Sequence, residues 1–508
     1  MTGLPLHRRR ALSGVSLRVL LAAALAASLV APAWAEGAPR PAQRSRVAAQ
    51  PVGVTSLEAA LARAFASNPD IQAQRGQVRA TNETIAQARS AGLPQVSATA
   101  YAGVLATRSI MRGPPNTVDS ATLGQRGVAL TATQTLFDGW RTQNSVVQAQ
   151  RLTEGQKQQL RAIEQSILLD VATSYVAVLT GHALVDVQRR NIGFLSTTLA
   201  NARTRLASGV ATPTDVSQAE ARLSRGQADL SAVEADLQIA RDRFARLVGA
   251  PAGAQLRPVR PLQALLPQSR EAARDVAGTG NPAVLAAMEQ VRAADAAVRI
   301  AQGQMLPQLA VQGQVSRDYD TATDTRRVDS AQMVGRVTVP LYSGGGQEAQ
   351  VRQAQELLGA ARLQLDSARL QARSAAFAGY TAYLNAGATI RAATAESQAA
   401  QVSVEGMQKQ VDAGVRTLVE LLNAQQDLVI ARGRLIQAHG DRIVATFTIL
   451  AATGRLEPAR LGIASLVPAG QPVAPARSDW DVRGDAWHDL RTVPPAETRP
   501  SQQKRSGN

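Results

Sequence analysis

Cysteine is missing from this chain altogether, and aromatic residues fill only 3% of its 508 positions. Without cysteine there is no disulfide framework, thiolate zinc site, cysteine nucleophile or lipid-modified N-terminal cysteine. Histidine is almost as scarce: His7 stands near the start and His488 in a polar tail, leaving His182 and His439 inside the expected fold. These two have no ligand-like neighbours at helical spacing, so no metal centre, cofactor or catalytic residue is expected and the chain does not read as an enzyme. Gly344-Gly345-Gly346 follows a strand-like run but lacks the Gly-Lys-Ser/Thr ending of a phosphate loop. It reads as a strand-to-helix kink. Beyond residue 35 no uninterrupted apolar run reaches the roughly 18–20 residues that a spanning helix needs. If the chain crosses a membrane, it does so with strands.

What is present begins with an export signal. Arg8, Arg9 and Arg10 precede an apolar stretch from Val15 to Val30, which closes on Ala33-Trp34-Ala35. That is a secretory signal peptide cut after Ala35. Its removal lowers the formal charge from +16 to +12, because residues 1–35 hold four arginines and no acid. The remaining basic charge is spread over helices, and an exported chain has no nucleic-acid partner.

The chain is internally duplicated. Asn68-Pro69 returns as Asn281-Pro282, and Leu93-Pro94 as Leu306-Pro307, both offset by 213 residues. Leu136-Phe137-Asp138-Gly139 returns as Leu341-Tyr342-Ser343-Gly344, and Gly209-Val210 as Gly414-Val415, at an offset of 205. The first copy therefore carries an eight-residue insertion between Pro94 and Leu136, expected as an exposed loop. The organisation predicted is a signal peptide (1–35), a flexible N-terminal segment (36–56), a first repeat (57–250), a linker (251–269), a second repeat (270–455) and a disordered tail (456–508).

Each repeat reads as helix, strand, loop, strand, long helix, turn, helix. Leu57 to Ala91 is one helical run capped at Thr55-Ser56. Strands are expected at about 95–106, 127–137, 308–318 and 332–341. Val96, Ala98 and Ala100 alternate with Ser97, Thr99 and Tyr101; Leu309, Val311, Gly313 and Val315 alternate with Gln308, Gln312, Gln314 and Ser316. The runs have the length of tilted membrane strands, although a soluble hairpin with one wet face shows the same pattern. Tyr101, Phe137, Tyr319 and Tyr342 fall at strand ends, where aromatics mark a bilayer interface or a packed junction.

In the helices, Leu160, Ile163, Ile167, Val171, Tyr175 and Val178 step by three or four. Val216, Leu223, Leu230, Leu237 and Phe244 recur every seventh residue, and Leu421, Leu428 and Leu435 repeat the register. Sustained heptads predict antiparallel coiled coil, with rods of roughly 100 Å. Four strands cannot close a membrane barrel, which needs about eight or more. The chain must oligomerise, and three copies supply twelve strands. The fold class expected is mainly α with membrane β-barrel strands: an internally duplicated chain whose homotrimer forms a 12-stranded barrel continuous with a long periplasmic coiled-coil tunnel.

The duplication, Asn-Pro in the first helix, Leu-Pro before the first strand, Gln134-Thr135-Leu136-Phe137-Asp138-Gly139 with Arg141-Thr142, and Pro340-Leu341-Tyr342-Ser343-Gly344-Gly345 resemble the TolC family over about 57–455. The resemblance implies a passive homotrimeric duct in the outer membrane of a Gram-negative bacterium, its helices in the periplasm. It further implies a periplasmic adaptor (membrane fusion) protein and an inner-membrane ABC or proton-driven transporter as partners. Lacking a lipid-anchor cysteine, and with its Leu-Phe-Asp-Gly-x-Arg-Thr stretch, the chain looks more like ducts of type I protein secretion; multidrug or small-molecule efflux is the alternative. A periplasmic coiled-coil scaffold without a pore is the rival of another class. In the family, the turns Ser208-Gly209-Val210 and Ala413-Gly414-Val415 form adaptor-contacting tips. The periplasmic gate maps onto Thr214, Asp215, Arg416, Glu420 and Asn423, with Asn423 standing where the family has a second acid.

Overall fold

The computed structural model describes residues 53–113, 117–259 and 262–463. The signal peptide, most of the N-terminal segment, and positions 464–508 of the expected tail lie outside the described residues. In chain order the first repeat holds α1 (Leu57–Ser67), α2 (Pro69–Ser90), β1 (Gln95–Ala102), β2 (Leu105–Met111), β3 (Thr117–Leu123), β4 (Arg126–Phe137), α3 (Arg141–Ala207) and α4 (Pro213–Val248). The second holds α5 (Arg270–Gly280), α6 (Pro282–Gly303), β5 (Gln308–Ala322), β6 (Thr325–Thr338), α7 (Gly346–Asp412) and α8 (Leu418–Ala452).

The helix expected from Leu57 to Ala91 is in fact two. Proline after Asn68 removes a backbone donor and pushes Asn68 out of the helical region, to φ −64°, ψ 128°. Asn68 then serves both sides of the break. Its Oδ1 accepts from the Asp70 and Ile71 amides at 2.9 and 3.5 Å, and its Nδ2 donates to the Leu247 carbonyl at 3.3 Å, near the end of α4. Asn281 repeats the arrangement, accepting from Ala283 at 2.8 Å and donating to the Ala452 carbonyl at 2.9 Å. Recurrence of Asn-Pro thus has a cause: it splices a short helix pair onto the return helix of its own repeat, and the two together flank one 67-residue rod, α3 or α7.

The heptads are packed as expected. Leu160, Ile167, Val171, Tyr175 and Val178 of α3 are buried with Leu237 and Phe244 of α4 in the main core. One stretch of α3 is long and apolar enough to cross a membrane by composition, yet its apolar side faces this core. The Tyr175 hydroxyl, its pKa pushed up to about 12 chiefly by burial, lies 3.0 Å from the Thr55 carbonyl and 2.7 Å from that of Arg257. It ties the segment before α1 to the inter-repeat linker. Leu456 and Ile463 are fully buried and Glu457 pairs with Arg161, so the disordered tail does not begin at 456: these residues close the core.

Four strands pair antiparallel in the order β1-β4-β5-β6, leaving β1 and β6 as open edges. The bounds differ from expectation: β1 stops at Ala102, β5 runs on to Ala322 and β6 starts at Thr325. The eight-residue insertion is not a loop but lengthens the first hairpin, whose outer part is the separate ladder β2–β3.

Replacing Asn68 by Asp keeps the cap acceptor but loses the donor and sets a carboxylate against the C-terminal carbonyls of α4. Stability should fall by about 1–3 kcal/mol, read as a lower melting temperature of the detergent-solubilised protein; Asn281→Asp should do the same.

Candidate functional site

The sheet has two chemically distinct faces. Register places Val96 beside Ala132, Ala98 beside Leu130, Leu130 beside Val315, and Gly313 beside Met333. That face is apolar and bare: Val96 is 64% exposed, Met333 81% and Val337 65%. The other carries Ser97, Thr99, Thr131, Thr133, Gln312, Gln314 and Gln332, with Gln332 donating to Gln314 at 3.1 Å. Towards the hairpin ends the apolar face gives way to charge, in the Arg317–Asp329 pair at 2.6 Å and the Arg126–Asp320 pair at 2.9 Å. An apolar band between a polar lining and charged rims is the pattern of a lipid-facing barrel wall. Of the strand-end aromatics, Tyr101 donates to Asp318 at 2.9 Å, the Arg126 guanidinium covers Tyr319, and Phe137 packs edge-on to Trp140.

One side of the chain is unfinished. In the first repeat, Gly139 nests so closely that a Cβ there would lie 2.2 Å from the Gly303 carbonyl at the end of α6. Its repeat partner Gly344 has nothing within 4 Å, and the flanking Leu341 and Tyr342 are 92% and 89% exposed. The same contrast runs along the rods. Gln165 and Ala172 of α3 are buried, whereas their counterparts Leu370 and Phe377 of α7 are 65% and 40% exposed. Leu363, Leu370 and Leu384 form an exposed heptad stripe on α7, the rod that follows β6, and Phe377 between them lies under the Arg270 and Arg274 guanidinium groups. Within the chain, β4 and α3 pack on β5, α6 and α8 of the other repeat. The equivalent neighbours of β6 and α7 are β1, α2 and α4, which are already placed elsewhere, so a second copy must bring them.

The Outer membrane efflux protein family matches residues 60–250 and 274–455. The chain belongs to that family. The outer membrane efflux protein BepC of Brucella suis is 32% identical over 444 residues, covering 86% of this chain and 92% of that one. The outer membrane protein TolC of Salmonella enteritidis is 27% identical over 449 residues, or 84% and 89% of the two chains. The alkaline protease secretion protein AprF of Pseudomonas aeruginosa is 27% identical over 313 residues, 60% of this chain and 64% of that one. Among solved structures, the outer-membrane channel OprN superposes with a TM-score of 0.69 at 17% identity, over 78% of this chain and 89% of that one. The protein is accordingly a TolC-family outer-membrane duct of a Gram-negative bacterium: a trimer whose strands complete a 12-stranded barrel and whose helices form a periplasmic tunnel, without enzymatic activity. Channels of this type work with a periplasmic adaptor and an inner-membrane transporter. The pore-less scaffold is set aside.

Both tips are the same local structure. Gly209 and Gly414 take φ of 75° and 73°, which a side chain tolerates poorly. Val210 and Val415 at the apices are 69% and 74% exposed. Past each turn a capping box starts the return helix. Asp215 accepts from the Thr212 amide at 3.0 Å while its own amide donates to Thr212 Oγ1 at 3.3 Å; Glu420 and Thr417 do likewise at 3.1 and 3.4 Å. Within the chain, Asp215 and Glu420 are thus held at the starts of their own helices. Arg416 pairs with Glu420 of its own helix at 3.1 Å. Among the described residues no bond joins it to Thr214 or Asp215. Val210, Asp215, Gly414 and Arg416 do line one cavity of about 520 Å³ between the tips.

Asn423, exposed as expected, accepts from Arg222 Nη2 at 2.7 Å. Sequence reasoning missed Arg222, because the contact lies 201 residues away along the chain. It also missed Asn191 and Gln425, which hydrogen bond at 3.0 Å in the buried seam. Gln425 did leave a signal: it interrupts the apolar register of Leu421, Leu422, Leu428 and Val429. His182 meets Arg241 at 3.0 Å and its pKa is lowered by burial first and that cation second.

Hydrogen bonds from the Thr212 and Thr417 amides hold the Asp215 and Glu420 carboxyls below their ordinary pKa values of 3.8 and 4.5. Carboxyls depressed in the folded state stabilise it above the unfolded pKa, and that contribution is lost as pH falls through the folded value. The tips should keep unchanged proteolytic resistance from pH 8 down to about pH 5 and lose it only below about pH 4.

Proposed function

We propose that this duct releases polypeptides exported by a type I secretion system, and that it docks on the adaptor through Ser208-Gly209-Val210 and Ala413-Gly414-Val415. The observation that carries the duct itself is the pairing of a two-faced sheet, open at both edges, with rods of 67 residues leading away from it. A rod of that length spans roughly 100 Å at 1.5 Å per residue, the scale of a periplasmic crossing. Cargo enters at the tips and leaves through the barrel, and the energy comes from the inner-membrane partner. In support of polypeptide cargo stand the relative named for alkaline protease secretion and the absence of a cysteine for lipid anchoring. Exposed Val210 and Val415 favour docking, being apolar apices that nothing in the chain covers.

Small-molecule efflux is the second reading, favoured by the relative named as an efflux protein, which matches over the larger share of the chain. The Leu-Phe-Asp-Gly stretch does not decide between them on physical grounds. Asp138 Oδ2 caps α3 by accepting from the Thr142 amide at 2.7 Å and its hydroxyl at 2.6 Å, and Arg141 Nε donates to the Asp138 carbonyl at 2.9 Å. Asp138, Gly139, Arg141 and Thr142 are accounted for by the turn they build.

We assign the exposed stripe Leu363, Leu370 and Leu384 to the seam between copies, covered by α2 and α4 of a neighbour. Leu370→Glu should shift the purified protein from trimer to monomer in mild detergent, read by native mass; an intact trimer would remove the stripe from the seam. Deleting the gene should remove one or a few large secreted proteins from the culture supernatant with drug tolerance unchanged. An unchanged supernatant with raised sensitivity to small toxic compounds would replace secretion by efflux.

A further inference from the structure

The two repeats differ where the short helix meets its rod. In the first, Leu57 and Leu61 of α1 and Leu168 and Ala172 of α3 are all buried in the main core. Offsets of 213 and 205 carry these four positions onto Arg270, Arg274, Arg373 and Phe377 of α5 and α7. A sealed apolar joint in one repeat is thus an arginine–aromatic surface in the other. Arg270 and Arg274 stand over the Phe377 ring, 5.7 and 5.8 Å from its centre. One turn along each helix, Gly278 makes room for Arg373: a Cβ there would lie 2.7 Å from Arg373 Nε.

The charge of this surface is not balanced within the fold. Among the described residues no ion pair reaches Arg270, Arg274 or Arg373, and Asp366 of α7 is taken by Arg369 at 3.2 Å. Arg373 Nε is buried with no hydrogen-bond partner, which buried donors seldom tolerate. The covering segments differ too. In the first repeat the Tyr175 hydroxyl lies against two carbonyls, of Thr55 before α1 and of Arg257 after α4. Its counterpart Tyr380 donates to Gln268, before α5, at 3.1 Å, and among the described residues meets no second carbonyl. The segment equivalent to Arg257 follows α8, and there Leu456 and Ile463 turn into the main core instead.

An acidic segment carrying aromatic rings fits such a surface, because guanidinium groups pair with carboxylates and stack on ring faces. The chain itself holds one. Between 478 and 490, Asp479, Asp481, Asp485 and Asp489 stand against Arg483 alone, a net charge of −3 in a chain of +16. Trp480 and Trp487, two of the four tryptophans, lie in the same stretch. Its reach is sufficient. A Cβ on Gly454 would lie 2.2 Å from the Gly280 carbonyl at the end of α5. Arg274 is roughly 9 Å back along that helix, and Ile463 is at most roughly 32 Å from Gly454. Residues 464–478 span up to roughly 50 Å when extended.

We propose that the acidic segment 478–490 docks on the Arg270, Arg274, Arg373 and Phe377 surface of its own chain. Its carboxylates pair with the guanidinium groups, and its indoles extend the stack begun by Phe377. The segment then closes the second-repeat joint as the inter-repeat linker closes the first.

Trypsin cleavage after Arg483 in the detergent-solubilised full chain tests it. In low salt, cleavage should be at least about tenfold slower in the native protein than in Arg270→Gln/Arg274→Gln, since the rate follows the undocked population. Cleavage after Lys504, outside the segment, should be equal in the two. About 1 M NaCl should bring the native rate up to that of the variant, because it screens the pairs. Asp481→Asn with Asp485→Asn leaves the body of the protein untouched and should abolish that salt dependence, which decides the matter if the arginine variant fails to form trimers. A cysteine pair, Glu271→Cys with Ala486→Cys in a chain that has no cysteine of its own, should oxidise to a link within one chain on a non-reducing gel. Covalent dimers would give the surface to a neighbouring copy. Equal, salt-independent cleavage after Arg483 in native and variant proteins would leave it to a partner from outside the chain. Either result overturns the proposal.

Discussion

Everything in this molecule answers to the backbone amides along the free edges of β1 and β6. In lipid an unpaired amide costs several kcal/mol, and a four-stranded sheet leaves two rows of them. Closure into a ring removes both rows at once, and the rods follow because each grows directly from a strand of that ring. The lone chain shows the consequence as asymmetry between its halves: the first-repeat rod is covered by its own chain, and the second-repeat rod is bare at the equivalent positions.

Duplication lets the chain make half of these contacts internally. The β4–α3 turn buries Gly139 and orients Trp140, which holds a positive φ of 66° where the second repeat has Gly345. The turn at Trp140 is packed through Gly139 against Gly303 and Leu306, whereas the second-repeat turn uses glycine twice. Small differences between repeats therefore record which copy of a contact is made within the chain.

Much of the fold was legible because it rests on periodicity. Alternation along Val96–Tyr101 and Leu309–Ser316 predicted the two faces of the sheet, and heptads such as Val216–Phe244 predicted the coiled coil. Locating the copies needed only Asn-Pro, Leu-Pro and the tip glycines. Less legible were features that depend on pairing across the fold. Asn68 reads as a helix cap, but its donation to Leu247 does not appear in any local window. The capping bonds of Asp215 and Glu420 to the Thr212 and Thr417 amides went unread beside their expected gate role, although the Thr-x-x-Asp and Thr-x-x-Glu spacing was already a capping signal. Leu456 and Ile463 lacked any periodic neighbourhood and so passed for tail. Arg222 carries no signal at all, being one arginine among many on a solvated face. Cargo is the least legible, since passive walls need no cargo-specific chemistry and the motif nearest to such a signal is spent on a turn.

The one-sided stripe on α7 has a genetic consequence. A chain damaged there still presents sound β1, α2 and α4 surfaces, so it is accepted by a healthy neighbour but cannot receive the next copy. Rings stop growing wherever such a chain is incorporated. In a cell making damaged and healthy chains equally, only about one ring in eight would be wholly healthy if three subunits are drawn at random. A lesion on that face is therefore dominant, whereas one that prevents folding outright is silent beside a healthy copy.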